Sequence, residues 1–593
     1  MNRKYKFIYK LLNIALTAFV SVTAVYCSET GKAMSGLPQS IGATNVGKEF
    51  WFTIPPFTGS DDNIENSVIV YVSSSAKTAV TVEVTGKAFS STKYTIPNDV
   101  VSFTIDPANA CPWTKAPGNN SPKTTIYRQS GIHVISDDLI VVFVYVQTRG
   151  SGEYFMALPV SSLGTSYIST AYTAGSVDNS LYPSLTGCVA PYDDTKIRFI
   201  VGGNDSTITP GGLAAGDTSY LTLDRGDVCM FASDSSGFDL SGSKWLSDKP
   251  IAVVSGNYCA GIPTGNREYN YIAEMDLPVF TWGTAYQAAR IEGRKYAPLI
   301  RVFAGESKTK VYRDSSVIIA SLTTSGGLYG KGWKEARLFS QQSTANQALI
   351  TGTKPISAAL YNTGSMEDSN SVETGPFETT LISPEQYQKE CSFIVPCNDS
   401  KSSFIKHFLS IIFEADSAGN VPESLELGRL RSGVFEWEKL AVTNPGTGEV
   451  FSPGYKGKTY AFKNIELDSG GLYKLRSDAS FAAYLYGSDT NSAYGVPAAM
   501  GLKDLTRDDT LPPVPTWEYI TYKSVIGTVT DAPSDEAGRS NLSIIYFNPD
   551  SSYNTKFGYT DFLPGLTSTT GWYLNIADTT QDACAVITFA DRS

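Results

Sequence analysis

The stretch NREYNYIAEMDLP carries three carboxylates, Glu268, Glu274 and Asp276, within a few residues of one another. Two carboxylates flanking a glycosidic bond are enough for acid–base or nucleophilic hydrolysis of a sugar. The same stretch holds Arg267, Tyr269 and Tyr271 beside Asn270. Tyrosine joins apolar area to a polar tip, and Tyr and Arg are enriched among residues that carry binding energy. Gly261–Met275 is long for a connection between strands. We read it as a recognition loop, with Arg267, Tyr269 and Tyr271 as ligand-binding candidates. Carbohydrate hydrolysis is the second alternative.

Other chemistry finds less support. The two histidines are His133, in GIHVISDD beside Asp137 and Asp138, and His407, in SFIKHFLSIIF. No GxSxG elbow accompanies either, so no Ser-His-Asp set is expected. The acidic run GSDDNIENS, 59–67, offers oxygen ligands for calcium but lacks EF-hand spacing, and it reads as a polar loop. With no CxxC pair and two histidines, a structural zinc site is not expected. No glycine-rich phosphate loop leads from a strand into a helix. No catalytic residue, metal or cofactor is therefore assigned.

The chain has 593 residues, more than one core can serve, and about four domains follow from ~150 residues each. It contains 34 Tyr and 28 Phe, with few charges for its length. Aromatic and β-branched residues suit pleated surfaces, so the class is all-β. Residues 1–24 read as a signal peptide: four basic residues in MNRKYKFIYK, an apolar run, then Val22-Thr23-Ala24 before the cleavage point. Tyr26 precedes Cys27 where a lipobox needs a small residue, so secretion without a lipid is expected over lipidation of Cys27. The net charge of −11 becomes more negative when the four basic residues are removed. Nucleic acid is excluded as a partner, because phosphate binding depends on Lys and Arg. No second span follows, so the mature chain has no expected transmembrane segment.

In an oxidising compartment some of the eight cysteines should pair. The candidates are Cys391 with Cys397 across SFIVP, Cys229 with Cys259 in neighbouring strands, and Cys111 with Cys188 across one module.

These groups must be positioned by a repeated unit. LPVSSLGTSY, 158–167, returns as LPVFTWGTAY, 277–286. Before each stands an apolar strand entered by a Ser/Asp/Lys/Pro turn: SDDLIVVFVYV, then SDKPIAVVSGNY, with further copies GTKPISAALYNT and SDASFAAYLYGS. Leu139–Val146 and Ile251–Ser255 should be buried core strands, because a strand covered on both faces is continuously apolar. The fold expected is a tandem of antiparallel β-sandwich-like modules: 45–187, 188–295, 296–400 and 401–505, a Pro/Asp linker at 506–515, and an immunoglobulin-like module at 516–593.

The motifs GKEFWFTIPP, DLIVVFVYVQTRGSGEYFMALPVSSLGTSYIST, FDLSGSKWLSDKPIAVVSGNYCAGIP and DLPVFTWGTAY occur in that order. Over roughly 45–400 the chain resembles the N-terminal domain of IgG Fc-binding proteins, a family also found in secreted bacterial proteins. That family usually has a second cysteine soon after the one in SGNYC. Its absence here leaves Cys259 for Cys229. The resemblance implies a secreted or cell-surface binding or adhesion module whose partner is an extracellular protein or glycan. It does not imply antibody binding, because homologous modules need not share a ligand. A structural component of the cell surface or extracellular matrix is the first alternative.

Overall fold

A computed structural model describes residues 21–27, 43–57, 66–113, 125–148, 151–177, 180–339, 345–368, 375–396, 404, 406–431, 434–488, 492–521, 523–532 and 538–593. The chain forms two compact units. One comprises Lys48–Leu158 and Gly164–Gly501. The other gathers Leu502–Ser593 with the chain up to Gly47 and with Pro159–Leu163.

The first unit is built from one strand pattern used four times. In each copy two antiparallel sheets share a long path of chain, which begins in one sheet and ends in the other. Lys244–Gly261 shows the pattern clearly: Lys244–Ser247 pairs with Ile197–Ile200, whereas Ala252–Asn257 pairs with Ser184–Val189. Ile132–Thr148 and Gly471–Ser488 do the same in the first and fourth copies. In the third copy the path breaks into Gln347–Gly352 and Ile356–Asn362. The expected all-β tandem of sandwiches is therefore observed.

The apolar strands lie where the sequence places them. Leu139–Val146 is buried throughout, as are Ile251–Ser255, Ile356–Asn362 and Phe481–Gly487. Apolar residues, with Val and Ile leading in the first two copies and Ala, Leu and Tyr in the last two, fill these positions because both faces of the strand are covered. The decapeptide repeat has a local cause. Gly164 N–H donates to the Tyr167 hydroxyl oxygen (2.7 Å), and that hydroxyl donates to Ile251 O (2.7 Å). Gly283 N–H likewise donates to Tyr286 (3.1 Å), and Tyr286 donates to Ile356 O (2.5 Å). The repeated Gly-Thr-x-Tyr thus ties a turn to the first apolar residue of its core strand.

Each copy ends in a short inner strand: Ser151–Met156, Tyr269–Met275, Phe377–Thr380 and Ala493–Ala499. The first packs on the second, the second on the third, the third on the fourth, and the fourth on the first, closing a ring. Gly256 permits one close approach behind it, since a Cβ there would lie 1.8 Å from Ile272 O. Asn270 sits where all four copies meet. Its side-chain amide nitrogen shares its two N–H groups among Gly152 O (2.9 Å), Pro376 O (2.8 Å) and Ala493 O (2.8 Å). Its Oδ1 accepts from Gly152 N–H (2.9 Å) and Ser151 Oγ (2.7 Å).

Arg301 joins the second and third copies. Fully buried, it donates to Ala171 O (2.8 Å), Asp239 Oδ2 (3.1 Å), Ser241 Oγ (2.8 Å), Thr173 Oγ1 (3.1 Å) and Glu335 Oε2 (2.9 Å). Its guanidinium lies 4.1 Å from the Tyr172 ring centre and 4.8 Å from that of Trp333. The first and fourth copies meet at Tyr154, whose hydroxyl donates to Ile394 O (2.7 Å), and at Lys474, which reaches Asn98 Oδ1 (2.7 Å).

The second unit has two antiparallel sheets. One orders Val514–Thr521, Ser524–Thr530, Thr569–Ile576 and Thr555–Tyr559. The other orders Ser21–Cys27, Cys584–Asp591 and Leu542–Phe547. Trp572, Leu574, Ile587 and Phe589 form its core. Ser21–Cys27 runs along the strand edge from Ala590 to Cys584. Cleavage after Ala24 would retain Val25, Tyr26 and Cys27 of that pairing. Residues 1–20 of the expected signal peptide lie outside the described residues.

Candidate functional site

Gly261–Met275 is only in part a loop. Lys244–Gly261 turns at 262–268 and returns as the strand Tyr269–Met275. Gly265, at φ +94°, adopts the left-handed conformation that the turn needs. Asn266 N–H donates to Pro263 O (2.8 Å), and Asn266 Oδ1 accepts from Glu268 N–H (2.8 Å). Glu268 accepts from the Ser365 hydroxyl and from Met366 N–H (3.1 Å), which braces the turn against the third copy.

Of the three binding candidates, Tyr271 needs correction. It is 1% exposed, its hydroxyl donates to Pro55 O (2.7 Å), and its ring packs edge-on to Phe57. A side chain so enclosed packs the ring and meets no outside ligand. Arg267 is exposed at the turn. Tyr269 is half-buried, edge-on to Tyr182 with ring centres 5.9 Å apart. Tyr182 stacks on Tyr258, and Tyr127, Tyr182 and Tyr269 flank a buried cluster that includes Trp113. The structure thus gathers a part-exposed aromatic patch, with Arg267 exposed on the turn that leads into Tyr269. Trp113, Tyr127 and Tyr182 escaped the sequence reading because they are far apart along the chain and no spacing links them.

The carboxylates face inward. Asp276 Oδ1 accepts from Thr170 N–H (3.0 Å) and Thr170 Oγ1 (2.8 Å), and Oδ2 accepts from Ser255 Oγ (2.5 Å). Glu378 Oε1 accepts from the Tyr361 hydroxyl (2.9 Å). Glu153, Glu274, Asp276 and Glu378 are all buried. Burial raises Asp276 to about 7 and Glu378 to about 8, and it holds Glu153 and Glu274 well above the usual carboxylate range. Glu153, Glu274 and Glu378 also repel one another. These acids are enclosed among the inner strands, where burial favours their protonated forms.

Their titration fixes a pH dependence. Unfolded, these acids release their protons near pH 4 to 4.5. Folded, they hold them to about 7 and 8. Between those limits the folded chain binds more protons, so stability falls as pH rises. The melting temperature of the ring unit should decrease from pH 5.5 to pH 8.5, and Glu378→Gln should flatten that slope. His407, lowered to about 4 by burial from its unfolded value of 6.5, acts in the opposite direction and offsets part of the fall only below about pH 6.5. A melting temperature that rises across this range would refute the assignment.

Neither histidine enters a catalytic set. His133 spends Nδ1 on Glu83 Oε1 (2.9 Å) and Nε2 on Glu49 Oε1 (3.0 Å), and it stacks on Trp51 at 4.1 Å. His407 Nδ1 meets the Tyr494 hydroxyl (2.7 Å).

The cysteine pairings also change. Cys188 stands directly opposite Cys229 on adjacent strands, both in one core. Cys259 lies in a different cluster, beside Trp113 and Tyr258. The pairings of Cys111 with Cys188 and of Cys229 with Cys259 are therefore not formed. Cys111, Cys188, Cys229 and Cys391 are buried thiols, and burial pushes Cys391 up to about 12. Cys397, the expected partner of Cys391, lies outside the described residues, as does most of the GSDDNIENS run.

The family described as IgGFc binding protein matches residues 153–487, more than half of the chain. The IgGFc-binding protein of Homo sapiens is 27% identical over 190 residues, which are 32% of this chain. The aligned stretch spans 3% of that human protein's length. The match runs from Glu153, inside the first inner strand, through the inner strands of the second and third copies, to Gly487, just before the fourth. This chain belongs to the IgGFc-binding protein family.

Proposed function

We propose that the chain is a secreted, non-enzymatic binding protein that holds an extracellular protein partner. The patch of Tyr127, Tyr182 and Tyr269, with Arg267 exposed on the turn leading into it, carries this reading, because part-exposed aromatics on a packed base are suited to anchoring a partner. The family supports a protein partner over a small molecule. Among the described residues no helix is long and apolar enough to cross a membrane. Each strand set serves as one module of an array whose several copies give avidity, and 516–593 is an immunoglobulin-type module. Adhesion at a cell surface is the setting in which such an array acts.

The human relative is named for binding IgG Fc, so an Fc fragment is the first probe. A panel of extracellular proteins and a glycan array follow. The triple variant Arg267→Ala, Tyr182→Ala, Tyr269→Ala should weaken binding to the captured partner at least about tenfold, since such anchors are each worth ~1 kcal/mol or more. Its melting temperature is measured in parallel. Lost stability at unchanged affinity would assign the patch to packing. Self-assembly without any captured partner would favour a structural role in the matrix.

A further inference from the structure

Three aspartates that no spacing connects meet in the second unit. Asp509 comes from the Pro/Asp segment, Asp531 follows the strand Ser524–Thr530, and Asp591 ends the strand Cys584–Asp591. One carboxylate oxygen from each lies within 4.8 Å of those of the other two. Asp531 and Asp591 are each 2% exposed, and Asp509 is buried with them.

Other oxygens of the three are committed to the backbone. Asp509 accepts from Ser540 N–H (2.8 Å) and Leu511 N–H (3.2 Å), Asp531 Oδ2 from Asn541 N–H (2.6 Å), and Asp591 Oδ1 from Ser593 N–H (2.9 Å) and Ser593 Oγ (2.7 Å). These bonds fix where the carboxylates point. Asp531 Oδ1 and Asp591 Oδ2 remain buried without any hydrogen-bond partner. An unpaired buried carboxylate oxygen is costly, and like charges placed together add to the cost. Burial first, then the neighbouring aspartates, raise Asp531 to about 6 and Asp591 to about 7, and Arg539 offsets only part of this at Asp531.

We propose that Asp509, Asp531 and Asp591 form a calcium site. The donors are all hard oxygens, which disfavours zinc and copper. Calcium accepts six to eight oxygens in irregular geometry, as three carboxylates from separate segments supply. Magnesium demands near-octahedral geometry and keeps several waters, which a buried triad does not favour. The ion ties the Pro/Asp segment to the two strands that bring Asp531 and Asp591.

The test uses the full chain, freed of metal with a chelator and titrated with CaCl2 by calorimetry. Wild type should bind one more calcium than Asp531→Asn or Asp591→Asn. An equal stoichiometry in wild type and both variants overturns the site, as does wild type that binds no calcium at millimolar concentration. Magnesium chloride that fills the same site with equal affinity overturns the choice of calcium. A second measurement needs no variant. Calcium at ~10 Kd should slow tryptic cleavage after Lys503 and Arg507 about tenfold relative to chelator, because binding lowers the open fraction by that factor. Equal cleavage rates overturn the proposal.

Discussion

Replacing Arg301 with methionine destabilises the ring unit by about 3–5 kcal/mol, the range for removing one partner of a buried ion pair. The loss exceeds that of a packing contact because of what stays behind. Asp239 remains buried as a charge, keeping only the hydroxyl of Thr173 (2.6 Å) and Ser241 N–H (2.8 Å). Ala171 O and Glu335 lose a donor as well. Methionine fills the space between Tyr172 and Trp333 but donates nothing. Urea denaturation measures the loss, and a change below about 1 kcal/mol would show that Arg301 does not join the two copies. Adding Asp239→Asn should recover part of the loss, since the stranded charge is then gone.

Asn270→Ala should cost about 3 kcal/mol or more, from several buried groups that each cost about 1–3 kcal/mol when left unpaired. Three carbonyls on three copies, Gly152 O, Pro376 O and Ala493 O, lose their donor at once. Gly152 N–H and Ser151 Oγ lose their acceptor. The expected signature is wide: amide exchange should quicken in the inner strands of the first and fourth copies as well as near residue 270. Faster exchange confined to 262–275 would place the role of Asn270 within its own copy.

The core strands were legible because burial on both faces leaves an unbroken apolar run, as in Leu139–Val146. The repeat was legible because Gly164-Thr165 and Gly283-Thr284 each precede a tyrosine that ties the turn. The inner strand Tyr269–Met275 was not. Asn270 and Glu274 are polar residues at enclosed positions, so the stretch shows neither alternation nor an apolar run, and it reads as a loop. Its tyrosines looked alike for the same reason, although Tyr271 packs inward and Tyr269 reaches the patch. Cys188 faces Cys229 through sheet register, which depends on the turns between their strands and has no mark at either cysteine. The aspartate triad draws on segments more than twenty residues apart, and only the folded sheets bring them together.

The ring also decides how the unit carries a load. Lys48 and Gly501 end the unit, and they belong to the first and fourth copies, which are neighbours around the ring. No peptide bond joins these two copies directly. A pull on the two ends therefore strains the seam of Tyr154 with Ile394 and Lys474 with Asn98 before it strains any link between the second and third. That seam is a mechanical fuse. The second and third copies offer a longer path for the same load, running parallel to the seam. Once it parts, the chain between the ends lengthens while the sandwiches keep their own hydrogen-bonded sheets, so the molecule yields in extension before it unfolds.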